Sequence, residues 1–209
     1  GSGKSTLISL IARFYDATSG RVLVDGVDVK DYTFDALYDR LGYVTQKAVL
    51  FSGSIRENIF FGESQTPFNE QDLAKAVELS QAQEFVDKLP DKTEHHIAQM
   101  GRNVSGGQKQ RLSIARALAR NPEILIFDDS FSALDYRTDA KLREGLSTAL
   151  HDTTKIIVAQ RISTIRHADQ IIVLDRGEAV GMGTHAELMQ TCGVYREIAL
   201  SQLSASELA

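Results

Sequence analysis

Glu123-Ile124-Leu125-Ile126-Phe127-Asp128-Asp129 sets four apolar residues in an unbroken row and ends them in two carboxylates. Successive residues of a strand point to opposite faces, so an uninterrupted apolar run asks for cover on both faces. That condition is met in parallel sheets. Two runs of the same kind follow, Lys155-Ile156-Ile157-Val158-Ala159 and Gln170-Ile171-Ile172-Val173-Leu174, read as a second and a third buried strand. The stretches 107–120 and 135–150 read as helices. Helix and strand therefore alternate, which argues an α/β fold built on a parallel sheet.

Working outward, 7–14 reads as an apolar helix and 20–26 as a short strand closed by a turn. A helix over 34–41 and a strand over 42–45 come next. From about 68 to 99 the text turns helical and more polar, with Asn69 as N-cap and Asp72 three residues on. This stretch is assigned to a helical subdomain within the domain, placed at 63–107. A short strand over 178–183 and two helices, 184–189 and 194–200, close the chain.

The chain has 209 residues, 43% hydrophobic, with a net charge of −5. That length fits one globular domain. The acidic balance argues against nucleic acid as a partner, because a phosphate backbone wants a basic face. Cys192 stands alone, so no internal disulfide forms and a reducing compartment is expected. No apolar run approaches the roughly 20 residues that span a bilayer. There is no initiator Met, and residue 1 lies inside a motif. The sequence therefore reads as a piece of a longer chain whose earlier part is not in this text.

That motif is Gly1-Ser2-Gly3-Lys4-Ser5-Thr6, the tail of G-x-x-x-x-G-K-[ST]. Glycines let backbone N–H groups turn toward phosphate oxygens, and the following helix N-terminus adds positive potential. Lys4 would reach the β- and γ-phosphates, Ser5 would ligate Mg²⁺, and Thr6 would touch the α/β region. The plain alternative is a Gly-Ser linker beside a helix. Asp128 and Asp129 stand at the carboxyl end of a strand, where open α/β sheets bind ligands. Asp128 would hold Mg²⁺ and Asp129 would face an attacking water, unless the pair merely caps the next helix. Ser105-Gly106-Gly107-Gln108 opens a helix and offers a second anion site by the same physics.

Together these elements resemble the ATP-binding cassette family over essentially the whole chain. Gly3-Lys4-Ser5-Thr6 resembles the Walker A end, Gln46 the Q-loop glutamine, Ser105 to Gln108 the signature, and Asp128 Walker B. Ser132-Ala133-Leu134-Asp135 resembles the D-loop, and Gln160 stands where the family carries a switch histidine. The resemblance implies a P-loop NTPase core with an inserted α-helical subdomain, with ATP and Mg²⁺ as ligands. It implies nucleotide contacts from residues 1–6, 105–108 and 135, and metal contacts from Ser5, Gln46 and Asp128. It implies catalytic roles at Asp129, Gln160 and Gln46. Phe51-Ser52-Gly53-Ser54-Ile55-Arg56-Glu57-Asn58 resembles multidrug-type exporter cassettes. Such cassettes pair with a second cassette and with a transmembrane domain, here expected upstream, on the cytoplasmic face of a membrane.

Two residues depart from the family pattern. Asp129 replaces a glutamate and is one methylene shorter. A general base must reach its water at roughly 2.6–3.2 Å, and a carboxylate drawn back by about 1.5 Å misses that reach unless the backbone compensates. Gln160 donates a hydrogen bond as histidine does but cannot take a proton. The pair implies a pocket that binds ATP and cleaves it slowly, beside an intact signature lent to an unlike partner. A regulatory, essentially non-hydrolytic module is the alternative. A repair or translation ATPase and an importer subunit fit less well.

Other features are read as structural. His95-His96 lacks companion ligands and reads as solvated surface, and the resemblance implies that 93–101 is an interface loop toward the transmembrane domain. Asp25, Asp28, Asp31 and Asp35 form a solvated face. Lys109, Arg111, Arg116 and Arg120 form a salt-bridged helix surface.

Overall fold

The computed structural model describes residues 2–62 and 67–203. Gly1 and the first four residues of the expected subdomain lie outside these. The helices are α1 (Lys4–Ile11), α2 (Phe34–Arg40), α3 (Ile55–Ile59), α4 (Glu70–Leu79), α5 (Gln83–Val86), α6 (Gly106–Leu118), α7 (Tyr136–Ala149), α8 (Ile162–Ile165), α9 (His185–Thr191) and α10 (Gly193–Gln202). The strands are β1 (Leu23–Val24), β2 (Val27–Asp28), β3 (Leu41–Val44), β4 (Gly53–Ser54), β5 (His96–Ile97), β6 (Ile124–Asp128), β7 (Thr154–Val158), β8 (Ile171–Asp175) and β9 (Glu178–Gly183).

β3, β6 and β7 form a parallel sheet with β6 in the centre. Its central run is buried on both faces, as its unbroken apolar row demands. Leu125 and Phe127 join one core cluster with Val44, Leu112 and Leu142, while Ile126 joins another with Ile8, Leu37 and Val158. Among the described residues, the polar helical region has no separate core cluster. Leu73, Val77, Phe85 and Val86 belong to the same cluster as Phe127. Asn69 caps α4 by accepting from the Asp72 N–H at 2.9 Å, which closes an orphan donor at the helix start.

Two expectations are corrected. The run 170–174 is not a third strand of the parallel sheet. β8 pairs antiparallel with β9, and Ile172 on its outer face is exposed. A short apolar run does not by itself distinguish two-faced from one-faced burial. The region read as wholly helical contains β5, which pairs with β4 through Ser54↔His96. The stretch 20–26 agrees with its reading as a short strand closed by a turn: β1 pairs with β2 around Asp25 and Gly26, both at positive φ.

Gly42 shows how tightly the sheet is covered. A Cβ there would meet Leu125 Cδ2 at 2.7 Å, Pro122 Cγ at 2.9 Å and the Ala117 carbonyl at 3.0 Å. Gly42→Ala is therefore expected to destabilise by about 1–3 kcal/mol through overpacking. Chemical unfolding of the two proteins side by side measures that difference.

Candidate functional site

The carboxyl ends of β3, β6 and β7 deliver the chemistry. Asp128 ends β6, and its Oδ1 accepts from the Ser5 hydroxyl at 2.9 Å. The loop before α1 and the acidic strand end, far apart in sequence, thus converge. Gly3 precedes α1 at φ 92°, a left-handed conformation that glycine takes without penalty. The β8–β9 turn closes over it, with Gly177 Cα 3.7 Å from where a Gly3 Cβ would sit. No acidic residue stands in the first turn of α1, so the positive end of the helix is left open to an anion. Lys4 Nζ donates to Ser2 Oγ at 3.0 Å, folded along its own loop.

Asp129 follows in the left-handed region, at φ 48° and ψ 26°, a conformation that Asp and Asn visit more readily than most residues. Its N–H is held by the Val158 carbonyl at the end of β7, 3.0 Å away. Its own carbonyl accepts from Ser132 Oγ at 2.7 Å. The side chain is 8% exposed. Gln46 and Gln160 both donate amide N–H groups to the same oxygen, Asp129 Oδ2, at 3.1 and 2.7 Å. One carboxylate oxygen is thus bracketed by two neutral amides.

Gln46 stands two residues past β3. Behind it, buried Gln110 on α6 donates to the Thr45 carbonyl at 3.3 Å. A cavity of about 520 Å³ opens beside this group, lined among others by Gln46, Asp129, Ser132, Gln160, Thr164 and Gln202.

Ser105 caps α6. Its hydroxyl accepts from the Gln108 N–H at 3.2 Å, and Gln108 Oε1 accepts from the Ser105 N–H at 2.8 Å. This reciprocal capping box fixes the turn and presents the N–H groups of Gly106 and Gly107 at the surface. A Cβ on Gly106 would meet nothing within 4 Å, so that face is open. Asp135 caps α7 through the Thr138 N–H and hydroxyl, at 2.9 and 2.7 Å. Those bonds hold its carboxyl below the usual carboxylate range. Thr6, in the first turn of α1, is exposed.

Sequence reasoning passed over two neighbours of the site. The Tyr43 hydroxyl is pushed up by burial and by the adjacent Asp128 carboxylate. Its place on β3 beside Asp128 on β6 is a matter of register. Gln202, near the end of α10, lines the cavity with no motif around it. The helix-surface expectation also needs correcting at Arg116. Arg111 and Arg120 pair with Glu84 and Asp39, but Arg116 is half-buried and donates to the carbonyls of Asn58 and Val49 at 2.7 and 3.0 Å. Burial lowers its guanidinium to about 10.

Among the described residues, no three His, Cys, Asp or Glu side chains converge to hold a metal by themselves. The Ser5 hydroxyl and Asp128 carboxylate are hard oxygen donors. They suit Mg²⁺, which takes one or two protein ligands and completes its shell with phosphate oxygens and water. In that respect the residues fit a nucleotide–Mg²⁺ pair.

The model of the ABC transporter family matches residues 1–132. An uncharacterized ABC transporter ATP-binding protein of Mycobacterium tuberculosis is 49% identical over 208 residues, covering 99% of this chain and 35% of its own length. A protein of Staphylococcus aureus carrying the description multidrug export ATP-binding/permease protein is 43% identical over 198 residues, 95% of this chain and 34% of its own length. Among solved structures, a bacterial Atm1-family ABC exporter with ATP bound superposes with a TM-score of 0.89 at 37% identity, covering 95% of this chain and 35% of its own. The chain spans about a third of the length of the relatives it matches. No helix among the described residues is long and apolar enough to cross a membrane.

Proposed function

Because this chain belongs to the ABC transporter family, we propose that it is the ATP-binding and ATP-hydrolysing domain of an exporter whose own pocket turns over slowly. The observation that carries the proposal is the bracket on Asp129. The carboxylate is held by two amides that cannot accept a proton from it.

The roles follow from position. The N-terminus of α1 and Lys4 bind the phosphates. Ser5 and Asp128 hold Mg²⁺, which supplies charge neutralisation on the phosphate oxygens. Asp129 orients the water, and Gln160 fixes the carboxylate. Ser105 to Gln108 form a rigid helix start whose open N–H groups suit a nucleotide held by a second cassette. The full-length protein thus pairs with an unlike cassette, and a transmembrane domain couples their closing and reopening to transport at the cytoplasmic face of a membrane. Relatives described as export ATP-binding/permease proteins support the export direction. A regulatory module that binds ATP without useful turnover is the second reading, favoured by the same bracket.

ATP turnover of the full-length protein in membranes tests this, measured with and without the half-transporter encoded beside it. Low turnover alone and high turnover together are expected. Rapid hydrolysis by the protein alone would sink the slow-pocket assignment.

A further inference from the structure

α8 starts without a side-chain cap, and the N–H of its first residue, Ile162, would otherwise lie open. Gln202 closes it from the far end of the chain. Its Oε1 accepts from the Ile162 N–H at 2.9 Å, and its Nε2 donates to the Gln160 carbonyl at 2.8 Å. One carboxamide therefore grips two backbone groups on either side of Arg161. Gln160 in turn donates from its side chain to Asp129 at 2.7 Å. A continuous line of hydrogen bonds runs from the last turn of α10 to the acid of the pocket.

The anchor under this line is a packed apolar cluster. Ile162 on α8 shares one apolar cluster with Tyr195, Ala199 and Leu203 at the C-terminal end, and with Ile171 and Val173 of β8. Gln202 itself is exposed, and burial does not dictate a glutamine there. The donor and the acceptor on one planar group do. Glutamate keeps the acceptor and loses the donor, and alanine loses both.

We infer that Gln202 is a positioning residue, holding the Gln160 segment so that the Gln160 amide meets Asp129. This deepens the slow-pocket assignment and rests on it for its catalytic part. The last turn of α10 then belongs to the nucleotide pocket, and whatever displaces that turn loosens Asp129.

The test uses the full-length protein together with its partner cassette. Hydrogen–deuterium exchange is followed over 158–166 and over 193–199 in wild type, Gln202→Ala and Gln202→Glu, with and without Mg-ATP. Gln202→Ala should raise exchange over 158–166 by about tenfold while leaving 193–199 unchanged, and Gln202→Glu should fall between. In whichever background hydrolyses ATP at this chain's pocket, wild type or the Asp129→Glu, Gln160→His pair, Gln202→Ala should lower kcat by about 5- to 10-fold with KM little changed. Unchanged exchange over 158–166 overturns the inference. Equal loosening of 193–199 also overturns it, since Gln202 would then merely hold α10 in place, as does an unchanged kcat. If the segment loosens as expected and neither background turns over ATP, the clamp stands and the ATPase assignment falls.

Discussion

Substituting Asp129→Glu and Gln160→His together is expected to raise ATP turnover at this chain's own pocket by about two orders of magnitude, the scale on which a misplaced catalytic group costs rate. The backbone at Asp129 is pinned. Its N–H is fixed to Val158 and its carbonyl to Ser132, so a longer side chain moves only the carboxylate. One added methylene advances the acid by about 1.5 Å, enough to bring a water within the 2.6–3.2 Å that proton transfer needs. Replacing the Gln160 amide by imidazole keeps a donor toward Oδ2 and adds a group able to take a proton and carry charge. Each single change should give only part of the gain, because the two side chains touch and act as a unit. Phosphate release by the full-length protein, with the partner's pocket disabled, measures this. A gain no larger than about twofold would mean that Asp129 already works as a base.

Phe127→Ala should be the costliest single truncation in the chain for stability. The ring is fully buried at the last apolar position of β6, tilted against Phe131 at a centroid distance of 4.9 Å. Phe→Ala in a core costs about 3–5 kcal/mol, transfer and cavity together. The whole stability of a domain is only about 5–15 kcal/mol, so the substitution takes a large part of it. The damage also falls at the site, because Asp128 and Asp129 follow directly and Phe131 lies in the turn that carries Ser132. Protease susceptibility of the full-length protein across a urea series should show a marked fall in midpoint. A midpoint shift equivalent to less than about 1 kcal/mol would mean the core refills the space.

The fold was legible where the sequence repeats one physical demand. The apolar run ending in Asp128 reads as a two-faced buried strand because burial on both faces leaves no room for alternation, and the structure places it at the centre of the sheet. Gly3-Lys4-Ser5 and Asp128 carry their chemistry in residue type and spacing, and the structure joins Ser5 to Asp128. The run 170–174 misled because Ile172 is apolar yet exposed, so its composition resembles that of β7 while its pairing does not. β5 was hidden because two residues make no period, and His96 finds Ser54 only through the long connection that brings them side by side. Gln202 was illegible for a different reason. Its partners are backbone atoms, and backbone atoms leave no mark in a sequence.

Gln46 and Asp129 are 83 positions apart, yet the pairing of Val44 with Phe127 sets them at the same level of the sheet, each two residues beyond that pair. Asp128 lies level with Val158, so Gln160, two residues past the end of β7, stands one step further out. The three are indexed by a hydrogen-bond ladder rather than by the loops between them. The loops that intervene can differ in length without altering this spacing, whereas α6, whose Gln110 holds the Thr45 carbonyl, belongs to it. A single residue inserted within β3, β6 or β7 would shift one member against the other two. The pocket is therefore portable as three strand ends and fragile at each, and chimeras that respect those ends are the ones that should keep it.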